Sequence, residues 1–387
     1  MLQLSRRVVA LTLVLLLLFV LLPGSQSVRT SVAAMQMSPY LQAVTPSSVY
    51  VLVEDDSTTP VTVDYGLTTA YGMTATTEST ATTTASPATY VHNIKLTGLQ
   101  PNTLYHYRAF QSGVYSNDYT FTTAGAPGTQ FRFAWIADMR TGTSVHDQIA
   151  ARVLSANPQV SLYGGDLAYD GSYADFKSEF FRPNQLALIA RVPFFNAVGN
   201  HEGWGTNTQA FLEAPASSSG SEAYYSFDYG DLHVLVINNL VSYSPGSAQY
   251  IFAQTDLAAT TRRWKIVISH YPAYCAGGHG EDADMKTMTT NIFEPNHVDM
   301  VVSGHSHFYQ HNMVNGIHHL VIGSEGAPLY TPQAASYVVK SVNDYNYAIA
   351  DVSPASFRMV VYNNVGTVLD DIRLGHSIFL PFVEKAD

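Results

Sequence analysis

Val160-Ser161-Leu162-Tyr163-Gly164-Gly165-Asp166-Leu167-Ala168-Tyr169 is a short apolar run that stops on two glycines and a carboxylate. It reads as a buried strand ending at Asp166, and the same pattern recurs on both sides of it. Phe131-Arg132-Phe133-Ala134-Trp135-Ile136-Ala137 ends at Asp138, and Val192-Pro193-Phe194-Phe195 runs to Asn200-His201-Glu202. Ile266-Val267-Ile268 ends at His270, and Met300-Val301-Val302 ends at His305-Ser306-His307. After the first of these strands, Val145, Ile149 and Val153 recur at helical spacing. Strand then helix then strand describes an α/β sheet, and in such a sheet the carboxyl ends of the strands share one edge. Side chains spread over about 170 residues would therefore converge. Carboxylates, an amide and imidazoles gathered at one edge are donors suited to two metal ions about 3.5–4 Å apart, and Asp166 is the natural bridge between them. Any one of these fragments marks an ordinary turn as often as a site; all five in this order are hard to explain by accident.

At 387 residues and 46% apolar content the chain can bury a large core and supply two or three domains. Arg6 and Arg7 precede an uncharged apolar run from Val8 to Leu22, followed by Pro23, Gly24, Ser25 and Ser27. Residues 1–27 read as a signal peptide, because the run is short for a membrane span and carries the flanks of an export signal. Ser5-Arg6-Arg7 also loosely fits a twin-arginine signal, so the export route stays open. Cleavage removes two of the 19 basic residues and none of the 30 acidic ones, moving the formal charge from −11 to −13. That balance speaks against nucleic acid as a stable partner, and signal cleavage leaves no stable membrane span. Cys275 is the one cysteine, so no internal disulfide can form, and no Asn-x-Ser/Thr site occurs. Together these favour a bacterial secreted or periplasmic protein.

Residues 38–124 read as all-β. Ser48 to Val53, Val61 to Tyr65 and Tyr105 to Phe110 are runs of β-formers between turn residues. The Thr-rich stretch from Thr68 to Thr84 reads as solvated strand and loop surface. Leu96-Thr97-Gly98-Leu99-Gln100-Pro101-Asn102-Thr103-Leu104-Tyr105 would enter a strand through a corner pinned by the tyrosine hydroxyl. The whole segment resembles a fibronectin type III domain. A Gly/Pro linker, residues 125–129, separates it from residues 130–375, and residues 376–387 form a tail. The expected fold is thus an all-β N-terminal sandwich followed by an α/β domain of two β-sheets flanked by helices. Strands at 320–322, 347–350, 357–362 and 368–372 are expected to supply the second sheet.

Residues 131–319 resemble the catalytic domain of purple acid phosphatases, within the calcineurin-like metallophosphoesterases. By that resemblance Asp138, Asp166, Tyr169 and His307 would hold a first metal, and Asp166, Asn200, His270 and His305 a second. Most metallophosphoesterases supply an imidazole from Asp-x-His at the first motif. This chain has Asp138-Met139-Arg140, and Tyr169 is placed to fill that vacancy. A phenolate is a hard anionic ligand, so Fe(III) is the expected first ion; the second site suits Zn(II), Fe(II) or Mn(II). His201 resembles the family histidine that contacts phosphate and protonates the leaving oxygen. Glu202 either orients His201 or is an exposed acid. His279, in Cys275-Ala276-Gly277-Gly278-His279-Gly280, loosely matches an extra substrate histidine. His311, His318 and His319 read as structural or surface residues, and Cys275 as an inert thiol. Arg140 stands where purple acid phosphatases carry Gly. Its side chain either displaces the loop, reaches over the metals to bind phosphate, or points to the surface. The implied activity is hydrolysis of phosphoric monoesters by a metal-bound hydroxide. A phosphodiesterase or pyrophosphatase on the same site, or a surface binding protein with a retired metal site, are the alternatives.

Overall fold

The computed structural model describes residue 35 and residues 37–375, so the expected signal peptide and tail lie outside the described residues. Two large sheets pack face to face, with helices on their outer faces. The period-2 alternation of each strand decides what goes where. In Phe131–Ile136, Phe133 and Trp135 point into the space between the sheets, while Ala134 and Ile136 face the helices Thr143–Ala156 and Pro183–Ile189. On the second sheet Val234, Ile266, Ile268 and Val302 point inward to meet them. Leu235, Val267 and Val301 face the helices Ala248–Ala259 and Ala283–Met288. The Trp135 indole N–H donates to the Ile322 carbonyl at 2.9 Å and so ties one sheet to the other.

The first sheet has ten strands. Its centre is parallel: Phe131–Ile136 pairs with Val160–Tyr163, which pairs with Phe194–Asn196. The second has seven strands, with Leu232–Val236, Trp264–Ser269, Met300–Ser303 and Ile317–Ile322 running parallel. One expectation is corrected here. Ile317–Ile322 does join the second sheet, but Tyr347–Val352 pairs antiparallel with Phe131–Ile136 and is followed by Phe357–Tyr362 and Val368–Leu374, each antiparallel to the strand before it, so all three extend the first. Apolar side chains line both faces of Tyr347–Val352 and most of Phe357–Tyr362, so their pattern is compatible with either sheet; the open edge of Phe131–Ile136 takes them, and the more polar Val368–Leu374 forms the outer edge.

The N-terminal segment forms two sheets. One, built on Thr62–Gly66 and Leu104–Gln111, stands alone; the Tyr105 hydroxyl accepts the Gln100 N–H at 3.0 Å, forming the corner read from sequence. The other, built on Tyr40–Gln42, Ser48–Asp55, Tyr90–Thr97 and Ser79–Thr82, is continuous with the ten-stranded sheet through the parallel pair Gln42↔Phe194. The Thr-rich strands Met73–Thr76 and Ser79–Thr82 are mostly exposed.

Candidate metal centre

Each residue singled out after a strand lies at that strand's carboxyl end, and the two sheets bring these ends together. Turning off the strand so abruptly places Asp138 (φ 58°), Asp166 (φ 55°) and His305 (φ 69°) in the left-handed region, which L side chains other than Asn and Asp rarely enter. Three such residues in one cluster mark a site whose geometry the surrounding packing enforces. The packing is tight enough to require glycine. A Cβ at Gly199 would stand 2.3 Å from Asp166 Oδ1, and one at Gly304 would stand 2.3 Å from Asp138 Oδ2.

Asp138, Asp166 and His270 offer ligand atoms all within 4.8 Å of one another. The His270 Nδ1–H donates to the Gly164 carbonyl at 2.7 Å, which leaves Nε2 as a lone pair. That lone pair faces Asp166 Oδ1 at 3.3 Å and Asn200 Oδ1 at 3.1 Å. Acceptors converge here with no hydrogen between them, which is the arrangement a cation satisfies. Asp166, Asn200 and His270, three of the four donors assigned to the second ion, therefore fit a metal, and the ring of the fourth, His305, lies 4.9 Å from that of His270. Burial raises Asp138 well above the usual carboxylate range, although the His305 N–H donates to both of its oxygens at 3.1 and 2.9 Å. Burial also acts to raise Asp166, but the neighbouring imidazoles, the His201 N–H at 3.1 Å and the Arg140 guanidinium outweigh it and leave its pKa lowered.

The donors assigned to the first ion are arranged differently. His307 directs Nδ1–H to the Pro328 carbonyl at 2.7 Å, and its Nε2 lies 3.5 Å from Asp138 Oδ1 and 3.5 Å from Arg140 Nη2. The Arg140 Nε donates to Asp166 Oδ2 at 3.1 Å, and the residue is only 6% exposed. Arg140 thus neither reaches into open solvent nor lies free over the cleft. Tyr169 is 53% exposed, with its ring 5.9 Å from the guanidinium carbon and 5.4 Å from the His201 imidazole. Beside an intact guanidinium, these residues do not fit a second metal ion. Burial lowers the pKa of His307 to about 4 and that of His305 to about 2.

His201 sits at the cleft. Its Nδ1–H donates to the Tyr169 carbonyl at 2.5 Å, and its Nε2 is 3.9 Å from Asp166 Oδ2. Neither expectation for Glu202 holds. It is buried and accepts the N–H of Gly199 at 2.7 Å and of Leu167 at 3.3 Å, clamping the Asp166 and Asn200 loops together. His279 stacks on His305 at 4.1 Å, and its N–H donates to Ser306 Oγ at 3.1 Å. Residues missed from sequence include Tyr271, packed on His305 at 4.4 Å, and Tyr330, stacked on His307 at 4.3 Å. Tyr271 had a signal in its place next to His270; Tyr330 had none. Burial pushes the Cys275 thiol up to about 11, so it is no thiolate.

A family model for calcineurin-like phosphoesterases matches residues 131–309, and one for the purple acid phosphatase N-terminal domain matches residues 35–123. The chain is a purple acid phosphatase-like member of the calcineurin-like phosphoesterase family. Purple acid phosphatase 21 of Arabidopsis thaliana is 30% identical over 241 residues, covering 57% of this chain and 53% of that one. Fe(3+)-Zn(2+) purple acid phosphatase 12 of the same plant is 26% identical over 275 residues, covering 62% and 58%. The chain spans about half the length of the first curated relatives it matches. Purple acid phosphatase PPD1 of yellow lupin shares the fold, with a TM-score of 0.76 at 18% identity over 87% of this chain and 74% of that one.

Proposed function

We propose that this chain is an exported, metal-dependent hydrolase of phosphoric monoesters, with residues 130–375 as its catalytic unit. The observation that carries the reading is the acceptor-only cluster of Asp138, Asp166, Asn200 and His270 at the shared edge of two sheets. Asp166, Asn200, His270 and His305, joined by Asp138 within 4.8 Å of the Asp166 and His270 donors, would hold Zn(II), Fe(II) or Mn(II), and the ion would supply Lewis acidity toward phosphate oxygens. The plant relative named as an Fe(3+)-Zn(2+) enzyme supports metals of this kind.

The chain's own groups do the rest. His201, with Nδ1 fixed on the Tyr169 carbonyl, presents Nε2 to the cleft, where a proton on it can pass to the departing alcohol oxygen. The N–H groups of Arg140 not committed to Asp166 and His307 are donors for the equatorial phosphate oxygens, whose charge grows as the ester bond breaks. His279 stacks on His305 at the rim, where it would border a bound phosphate. The apolar run at residues 8–22 and its flanks support export. Among the described residues no helix is long and apolar enough to cross a membrane.

Rates on the mono- and diester of one aromatic alcohol test the substrate class. The reading expects the monoester to be faster by an order of magnitude or more; a faster diester would move the activity to phosphodiesters.

A further inference from the structure

We propose that the Arg140 guanidinium takes the place of the first metal ion, so that this chain works with one metal and one built-in cation. The inference rests on the hydrolase reading above and goes beyond it in the make-up of the centre. The bridging carboxylate carries the argument. Its Oδ1 faces His270 Nε2 at 3.3 Å, the metal side, while its Oδ2 accepts the Arg140 Nε–H at 3.1 Å. The two oxygens that would be shared between two ions are thus divided between a metal site and a guanidinium.

The same guanidinium reaches the second donor of the first ion. His307 Nδ1 is committed to the Pro328 carbonyl, so Nε2 presents its lone pair, and Arg140 Nη2 stands 3.5 Å from it. With Asp166 Oδ2 and His307 Nε2 both engaged, a first ion would keep Asp138 and Tyr169 alone, too few donors for a stable site. The Tyr169 ring lies 5.9 Å from the guanidinium carbon, within the distance at which an aromatic face attracts a cation.

Charge points the same way. A guanidinium is a permanent cation, and Arg140 is withdrawn from solvent with Asp166 as its carboxylate partner. A trivalent ion on the same carboxylate oxygen would face that fixed charge at close range in a buried site, where screening is weak. One divalent ion plus one guanidinium instead balances Asp138 and Asp166 with a single positive charge to spare for phosphate. Of the five guanidinium N–H donors three remain uncommitted.

The test is a metal count on the full chain, purified without chelator, equilibrated with excess Zn(II), Mn(II) or iron, and freed of loose ions before elemental analysis. The native chain should hold one ion and Arg140→Gly two. With iron, Arg140→Gly should gain a phenolate-to-Fe(III) absorption band that adding Tyr169→Phe removes. Two ions in the native chain would overturn the inference and leave the hydrolase reading standing. No ion in the native chain would overturn both. A folded Arg140→Gly chain that stays at one ion would also overturn it. Should that variant fail to fold, the native count alone decides.

Discussion

At Gly304 a single hydrogen is all that fits beside Asp138, and at Gly199 the same holds beside Asp166. Gly304→Ala would drive a methyl group to 2.3 Å from Asp138 Oδ2, so the carboxylate must turn away from the centre. We expect Gly304→Ala to weaken metal binding about 10–100-fold, the usual effect of disturbing a ligand's support, with the fold retained. Competition against a chromophoric chelator measures this, and an unchanged affinity would mean that Asp138 does not face the ion. A second support lies beneath the same loop. His146 Nδ1 is 3.1 Å from Glu325 Oε1, both fully buried, and the N–H groups of Gly326 and Ala327 donate to the Asp138 carbonyl. Burial raises the Glu325 pKa, and removing the carboxyl leaves His146 buried without its polar neighbour, a loss of about 1–3 kcal/mol. Glu325→Ala should therefore lower stability by that order in urea unfolding; a change within about 0.5 kcal/mol would show the pair to be idle. At this scale the sequence was legible where a polar residue ends an apolar strand, as at Asp138, Asp166, Asn200 and His270. It was not legible at Glu202, because its partners are backbone N–H groups, one of them 35 residues away. Nor could it aim Arg140, since a side chain in place of glycine can turn either way.

Strands place these residues, and their ends hold them in unusual backbone conformations. That these residues converge was legible because parallel strands end on one side of their sheet, but one shared edge is corrected by the structure: Phe131–Ile136, Val160–Tyr163 and Phe194–Asn196 lie in one sheet, Trp264–Ser269 and Met300–Ser303 in the other, and the facing ends of two sheets meet. Sheet membership was harder: Tyr347–Val352 and Phe357–Tyr362 have the composition of either sheet, and the pairing of Tyr347–Val352 with Phe131–Ile136 decided it. The strand Ile317–Ile322 carries a further consequence. His319 on it is buried, with its ring against Tyr274 at 4.7 Å, and burial, aided by His318, lowers its pKa to about 3. The folded state keeps this imidazole neutral while the unfolded chain protonates it below about pH 6.5. The unfolded state therefore binds the extra proton, and stability is lost as pH falls from about 6.5 toward 3. The loss reaches about 3 kcal/mol by pH 4. His319→Leu should remove this slope, so urea midpoints of variant and parent should diverge in the variant's favour between pH 7 and pH 4. Parallel curves would contradict it.

Over the whole molecule, the N-terminal segment and the catalytic unit share one sheet. The Tyr40 hydroxyl and the Gln42 side-chain amide both donate to the Phe211 carbonyl at 3.0 Å, and the Tyr107 hydroxyl donates to the Ala190 carbonyl at 2.8 Å. Composition marked a β-rich segment and a linker, yet it could not show that the sheet runs through, because Gln42↔Phe194 is a pairing between distant residues. We expect one cooperative thermal transition for the full chain. A chain beginning at residue 125 should aggregate, since it exposes the strand edge that Tyr40–Gln42 covers. Two separate transitions, or a soluble active fragment, would show independent domains. The central claim is that the Asp138, Asp166, Asn200 and His270 cluster holds a metal on which phosphoester hydrolysis depends. The most direct measurement is monoester hydrolysis by the full chain and by Asp166→Ala, each stripped with chelator and then resupplied with Zn(II), Mn(II) or iron. Activity should vanish on stripping and return on resupply in the native chain, while Asp166→Ala stays inactive and binds little metal. A stripped native chain that keeps its rate, or an Asp166→Ala chain that recovers it, would contradict the account.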